Sequence, residues 1–146
     1  MNRRQAEILL IEDSLPDIRL TERALKSGQL SYNVSIVRDG VEALAFLRRQ
    51  NSYADAPRPD LILLDLGLPK KSGTEVLAEI KGDPGLKRIP VVVLTNSDAQ
   101  EDISTTYDLH ANAYTRKPVD ADDFLNAIRT IEDFWLSLVI LPGNEH

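Results

Sequence analysis

The chain contains no cysteine. That absence excludes disulfide frameworks, zinc–thiolate centres and thiol nucleophiles. It has only two histidines, one of them the last residue, so a His-built metal site or a Ser-His-Asp triad has almost nothing to draw on. Basic charge is also short, with 17 Lys and Arg against 23 Asp and Glu for a net charge of -6. A nucleic-acid-binding module needs a basic face to meet phosphates, so no nucleic-acid partner is expected. No apolar run approaches the roughly 20 residues that span a bilayer. Met1 to Glu7 holds no apolar signal core, and the run from Ile8 meets Glu12 and Asp13 within a few residues. The expectation is a cytoplasmic protein with no membrane association.

The composition that remains is that of an ordinary globular chain. Apolar residues make up 42% and charged residues 27% of 146. A chain this long buries roughly 70% of its unfolded surface and needs no covalent staple. There is no internal repeat or low-complexity tract, and the most loop-like stretch, Gln50 to Pro59, is too short to separate two domains. A single domain over 1–146 is expected, with a core at about 7–133 and a helical extension at about 134–146.

Short apolar runs alternate with amphipathic stretches. Glu7 to Ile11, Leu61 to Leu64 and Val91 to Leu94 read as buried strands, and Asn33 to Val37 and Ala111 to Thr115 as weaker ones. Between them, Ile18 and Leu25 mark a first helix stopped at Gly28. Val41, Leu44 and Ala45 mark a second, and Val76, Leu77 and Ile80 a third. The fourth, Ala99 to His110, is weakly apolar, with Ile103 and Tyr107 four apart. The fifth is strongest, with Phe124, Ile128, Ile131, Trp135 and Leu138 at alternating intervals of four and three. Five strand–helix units build an α/β fold, a parallel sheet with helices on both faces. Ligands of such sheets bind beyond the carboxyl ends of the strands.

Those ends carry Glu12 and Asp13 after the first strand, Asp65 after the third, Thr95 after the fourth, and Lys117 with Pro118 after the fifth. Each alone has an ordinary reading. An acid pair suits a helix start, Asp65 a turn, Thr95 a strand or an N-cap, and Lys117 a solvated surface. Together they place three carboxylates, a hydroxyl and an ammonium on one rim. Clustered carboxylates repel and favour a hard, oxygen-seeking cation such as Mg²⁺. A carboxylate can attack phosphorus to form an aspartyl phosphate, and a cation, an ammonium and a hydroxyl can hold the transferring oxygens. Asp65 is the candidate nucleophile, because it ends a buried strand and its position is fixed.

The motifs Ile11-Glu12-Asp13-Ser14, Leu64-Asp65-Leu66-Gly67-Leu68-Pro69 with Gly73, Val93-Leu94-Thr95, and Ala113-Tyr114-Thr115-Arg116-Lys117-Pro118 follow one another in order. In this the chain resembles the receiver domains of two-component response regulators. The resemblance implies a flavodoxin-like, doubly wound (βα)5 sandwich with strand order 2-1-3-4-5. It implies that Asp65 takes a phosphoryl group from a phosphohistidine on a sensor histidine kinase. It also implies that Asp13, Asp65 and the Gly67 carbonyl bind Mg²⁺, with Glu12 acting through water. Lys117 and Thr95 would contact the phosphoryl group, and Tyr114 would change rotamer as Thr95 moves. Pro118 would follow a cis peptide from Lys117, and Gly73 would supply a backbone conformation that other residues resist.

Some positions depart from the family pattern. Asn96 follows Thr95 where most receivers carry Ala or Gly, Gly67 has no side chain to steer water, and Leu66 stands where some receivers carry Trp. No output domain is expected after the receiver. The segment Tyr53 to Pro59, the stretch Leu77-Ala78-Glu79-Ile80-Lys81 and the terminal Phe134-Trp135-Leu136 resemble the small regulators paired with bacterial and cyanobacterial phytochrome kinases. Two other readings compete. A haloacid dehalogenase-type phosphatase would want a second Asp where Gly67 stands, and a receiver-like binding module that never takes phosphate would usually have lost part of the site set.

The C-terminal stretch is rich in apolar residues. If one helical face buries Trp135 and Leu138, then Leu136, Val139 and Ile140 point elsewhere. The expectation is a two-fold homodimer through the fourth helix, fifth strand and fifth helix, extended by Trp135, Leu136, Val139 and Ile140. The alternative is a tail folded back on its own domain.

Overall fold

The computed structural model describes residues 6–26, 32–96 and 100–138. Five strands alternate with five helices: β1 (Ala6–Ile11), α1 (Leu15–Lys26), β2 (Tyr32–Val37), α2 (Gly40–Leu47), β3 (Leu61–Leu64), α3 (Gly73–Gly82), β4 (Val91–Thr95), α4 (Gln100–Asp108), β5 (Ala113–Arg116) and α5 (Ala121–Glu132). The sheet is parallel throughout, in the order β2-β1-β3-β4-β5. The strand order reverses between β1 and β3, where Ile11 lies opposite Leu64.

The central strands are apolar without interruption because both of their faces are covered. Leu9, Ile11, Ile62, Leu64, Val91 and Val93 pack with Leu44, Phe46 and Leu47 of α2 and Val76, Leu77 and Ile80 of α3. The alternate residues Ile8, Leu10, Leu61, Leu63, Val92 and Leu94 pack with Ile18, Ala24 and Leu25 of α1 and Phe124, Leu125, Ile128 and Ile131 of α5. Each of these Val, Leu, Ile and Phe side chains contributes about 1.5–3 kcal/mol on burial. Local chemistry sets the helix starts. The Asp39 carboxylate accepts from Glu42 N–H at α2, Ser72 and Glu75 form a reciprocal capping box at α3, and Asp120 accepts from the N–H groups of Asp122 and Asp123 at α5.

The structure moves several expected elements. β5 begins at Ala113 rather than Ala111, and the preceding Asn112 turns its side-chain oxygen to Val91 N–H at 2.8 Å. On α4 Thr106 is buried, whereas Ile103 is half-buried and Tyr107 is 48% exposed. The Tyr107 hydroxyl instead accepts from Tyr114 N–H at 3.1 Å on the edge strand. Val41, expected on the core face of α2, is 52% exposed, while Gly40 and the run from Ala43 to Leu47 are buried.

After Glu132 the chain continues as a π-helical turn, Asp133–Leu138. Its wider turns shift the phase of the apolar stripe. Trp135 and Leu136 are both half-buried against the α1/α5 cluster, so Leu136 does not point away as expected, and Phe134 is the exposed residue. The expected helix stop Gly28 and the expected interface residues Val139 and Ile140 lie outside the described residues.

Candidate functional site

The carboxyl ends of β1, β3, β4 and β5 converge on one rim. Asp65 N–H donates to Ile11 O at 3.0 Å, which holds the ends of β1 and β3 side by side, and Glu12 N–H donates to Val37 O at 3.1 Å, which ties the end of β1 to β2. Lys117 N–H donates to Thr95 O at 2.7 Å and fixes the lysine beside β4. The loop after Asp65 is braced from below by the first residue of α3. A Cβ on Gly73 would lie 2.3 Å from Asp65 O and 2.5 Å from Leu66 Cα. Among the described residues no glycine has a positive φ, so Gly73 is required for close approach and not for a special backbone conformation.

Around Asp65 the side chains form a charged cluster. Carboxylate oxygens of Glu12, Asp13 and Asp65 lie within 4.8 Å of one another. The Lys117 Nζ is 2.6 Å from Glu12 Oε1, 2.8 Å from Asp17 Oδ2 and 3.3 Å from Asp65 Oδ2. Glu12, Asp65, Thr95 and Lys117 are all buried, whereas Asp13 is half-exposed at the mouth. The second Glu12 oxygen accepts from Ser14 N–H at 3.1 Å. A cleft of about 510 Å³ opens over the cluster, lined by Asp13, Asp17, Asp65, Thr95, Asn96 and Lys117 among others.

Burial raises the Glu12 carboxyl to about 7; the nearby Asp65 charge adds to this, and together they outweigh the hydrogen bond from Lys117. For Lys117, burial works against the ammonium, but the hydrogen bonds to Asp17 and Glu12 and the charges of Glu12 and Asp65 prevail and hold it more strongly protonated than a free lysine. Three oxygen donors, one half-exposed and two buried, with a carboxyl destabilised as an anion, fit a hard divalent cation with open positions for water or phosphate oxygens.

Several expectations about single residues change. Among the described residues no peptide is cis, so the Lys117–Pro118 bond is trans, the ordinary preference of X–Pro. Lys117 still reaches the cluster, aimed by its backbone bond to Thr95 and its carboxylate partners. Gly67 lines the cleft, and its N–H points to Asp65 Oδ1 at 3.4 Å. Tyr114 is half-buried against the α2/α3-side core. Asp17 escaped the sequence reading. In the sequence it is an acid in the first turn of a helix, a position that favours the helix dipole, and nothing local ties it to a lysine 100 residues away. Asp102, on the first turn of α4, also lines the cleft and was not foreseen.

Residues 8–129 match the response regulator receiver domain family. The chain belongs to that family. As a receiver it is 52% identical over 136 residues to the response regulator Rcp1 of Synechocystis sp., covering 93% of this chain and 92% of that protein. The crystal structure of the phosphorylated cyanobacterial phytochrome response regulator RcpA superposes with a TM-score of 0.93 at 52% identity, covering 95% of this chain and 99% of RcpA. The Mn²⁺-bound form of Rcp1 gives a TM-score of 0.91 at 51% identity, covering 94% and 99%. This receiver is thus closely related to phytochrome response regulators; receiver domains bind Mg²⁺, and the cluster of Glu12, Asp13 and Asp65 offers oxygen donors suited to such an ion. Membership removes the haloacid dehalogenase reading. No helix of the described residues is long and apolar enough to cross a membrane.

Proposed function

We propose that the chain is a phosphoryl-accepting receiver in which Asp65 takes the phosphoryl group of a phosphohistidine on a phytochrome-type sensor kinase. An Asp65 carboxylate oxygen attacks phosphorus, the phosphorus–nitrogen bond breaks, and the departing imidazole takes up a proton. The observation that carries this reading is the placing of Asp65 at 3.3 Å from a buried ammonium and within one acidic cluster. Lys117 donates to a phosphoryl oxygen, and the Thr95 hydroxyl approaches another from the end of β4. Bound Mg²⁺ supplies positive charge against the phosphoryl oxygens. Glu12, Asp13, Asp65 and the Gly67 carbonyl are its proposed protein contacts.

Thr95 and Tyr114 lie on adjacent parallel strands that end at the cluster, with Tyr114 opposite Val93. Movement of Thr95 toward the phosphoryl group shifts Tyr114 and alters the α4–β5–α5 side. Tyr107 and Phe134, each 48% exposed, are surfaces that a homodimer formed through this side, with Trp135 and Leu136, would use. The protein acts in the cytoplasm as a stoichiometric carrier of the phosphoryl group and not as a turnover enzyme, and it binds no nucleic acid. The kinship with Rcp1 and RcpA supports the phytochrome partner.

The test is phosphotransfer from a panel of purified, autophosphorylated kinases. Transfer to this receiver is expected to be fastest from a phytochrome kinase. Equal rates from unrelated kinases would remove the assignment of partner, and transfer from none of them would favour a receiver-like module that takes no phosphate.

A further inference from the structure

The three N–H donors of the Lys117 ammonium meet carboxylates from three elements: Glu12 after β1, Asp17 on α1 and Asp65 after β3. Two of those three, Glu12 and Asp65, also belong to the cation cluster, and Asp17 does not. A divalent cation and the ammonium are like charges that draw on the same two carboxylates. Lys117 is 4% exposed, so an ammonium left without a carboxylate there is costly and would move to water.

From this we infer that Asp17 is a positioning residue, the counter-charge reserved for Lys117 that keeps its ammonium in the site when a cation engages Glu12 and Asp65. The geometry suits the role. Asp17 Oδ2 lies 2.8 Å from Nζ, with the Asp17 side chain 22% exposed on the cleft wall. Its carboxylate is presented from a fixed backbone. Asp17 N–H points to Ser14 Oγ at 3.4 Å, and its carbonyl accepts from the buried Thr21 hydroxyl at 2.8 Å. The cation can therefore take its ligands without expelling the lysine. The inference rests on the proposed function for its consequence, since Lys117 must stay in place to meet a phosphoryl oxygen.

The test follows the accessibility of Lys117 and not activity. Wild-type protein and Asp17→Asn are pulse-acetylated with and without saturating Mg²⁺, and the modification of Lys117 is read by peptide mass spectrometry. Wild type is expected to stay protected in both conditions. Asp17→Asn is expected to be protected without Mg²⁺, where Glu12 and Asp65 still hold the lysine, and about fivefold or more reactive with it. Asp17→Glu should restore protection. Loosening of the fold would raise reactivity with and without Mg²⁺ alike, and that result overturns the inference, as does equal protection in both proteins. Asp17→Ala, checked by circular dichroism, is the second variant and is expected to behave as Asp17→Asn does. Mg²⁺-dependent labelling of wild type by phosphoramidate is measured alongside. Its absence would overturn the proposed function, whereas its presence with an unchanged Asp17→Asn profile overturns only the role of Asp17.

Discussion

Gly73 and Asp65 are packed so closely that a Cβ on the glycine would sit 2.3 Å from the Asp65 carbonyl oxygen. The N–H of Gly73 also donates to Leu66 O at 2.9 Å, so the start of α3 and the loop carrying Asp65 form one unit. Gly73→Ala must push backbone against backbone. It is expected to destabilise the protein by about 1–3 kcal/mol and to slow labelling of Asp65. The contrast is Gly67, where a Cβ would meet only Asp65 Oδ2, at 4.0 Å. Gly67→Ser should leave stability within about 0.5 kcal/mol. Urea denaturation of both variants checks the pair.

The acid behaviour of Glu12 gives a dependence on pH. Its carboxyl is raised from 4.5 to about 7 by burial and then by the Asp65 charge. The folded protein therefore holds this proton where the unfolded chain has lost it. The stability linked to the proton is complete below pH 4.5 and is lost as pH rises through about 7. Cation-free wild type should lose several degrees of melting temperature relative to Glu12→Gln between pH 5 and 8. The cation binds the ionised cluster, so wild-type Mg²⁺ affinity should rise over the same window. Calorimetry in chelator and in Mg²⁺ measures both.

At the far end of α5, the Tyr32 hydroxyl donates to Glu132 Oε2 at 2.8 Å, and Glu132 is buried. Burial, and then this carboxylate, raise the tyrosine well above its usual range. Tyr32→Phe removes the donor and leaves a buried carboxylate oxygen without it. A loss of about 1–3 kcal/mol is expected in chemical denaturation. Labelling of Asp65 should be unchanged, because neither residue lines the cleft.

Trp135, the only tryptophan, packs edge-on to Phe134 at 5.4 Å and against the α1/α5 core, and it does not line the cleft. Adding Mg²⁺ to the unphosphorylated protein should leave its fluorescence nearly unchanged. A large quench by Mg²⁺ at low concentration would contradict this placement.

The sheet was legible because Ile8 to Ile11, Leu61 to Leu64 and Val91 to Leu94 are short unbroken apolar runs, the pattern of strands covered on both faces. Glu12, Asp13, Asp65, Thr95 and Lys117 were legible because strand ends are fixed in sequence and a parallel sheet brings them together. Asp17 was not, since its partner is Lys117 and the pairing exists only in three dimensions. α4 was placed where the sequence suggested, but its inward face was misjudged, because Thr106 is buried and Tyr107 serves the edge strand through its hydroxyl. Leu136 was misplaced because a regular 3.6-residue period was carried through a π-helical turn. The trans bond before Pro118 runs against the family resemblance, and no residue of the sequence signalled it.

The central claim is that Asp65 carries the phosphoryl group, and its most direct test is the mass and the map of the labelled protein. Wild type treated with phosphoramidate and Mg²⁺ is expected to gain a single phosphoryl mass, lost on treatment with hydroxylamine, as an acyl phosphate would be. Borohydride trapping should place it on Asp65, and Asp65→Asn should gain none. Lys117→Ala should still label but fail to alter the α4–β5–α5 side, read by amide hydrogen exchange. A phosphoryl mass that persists in Asp65→Asn, or that maps to another residue of wild type, would contradict the account.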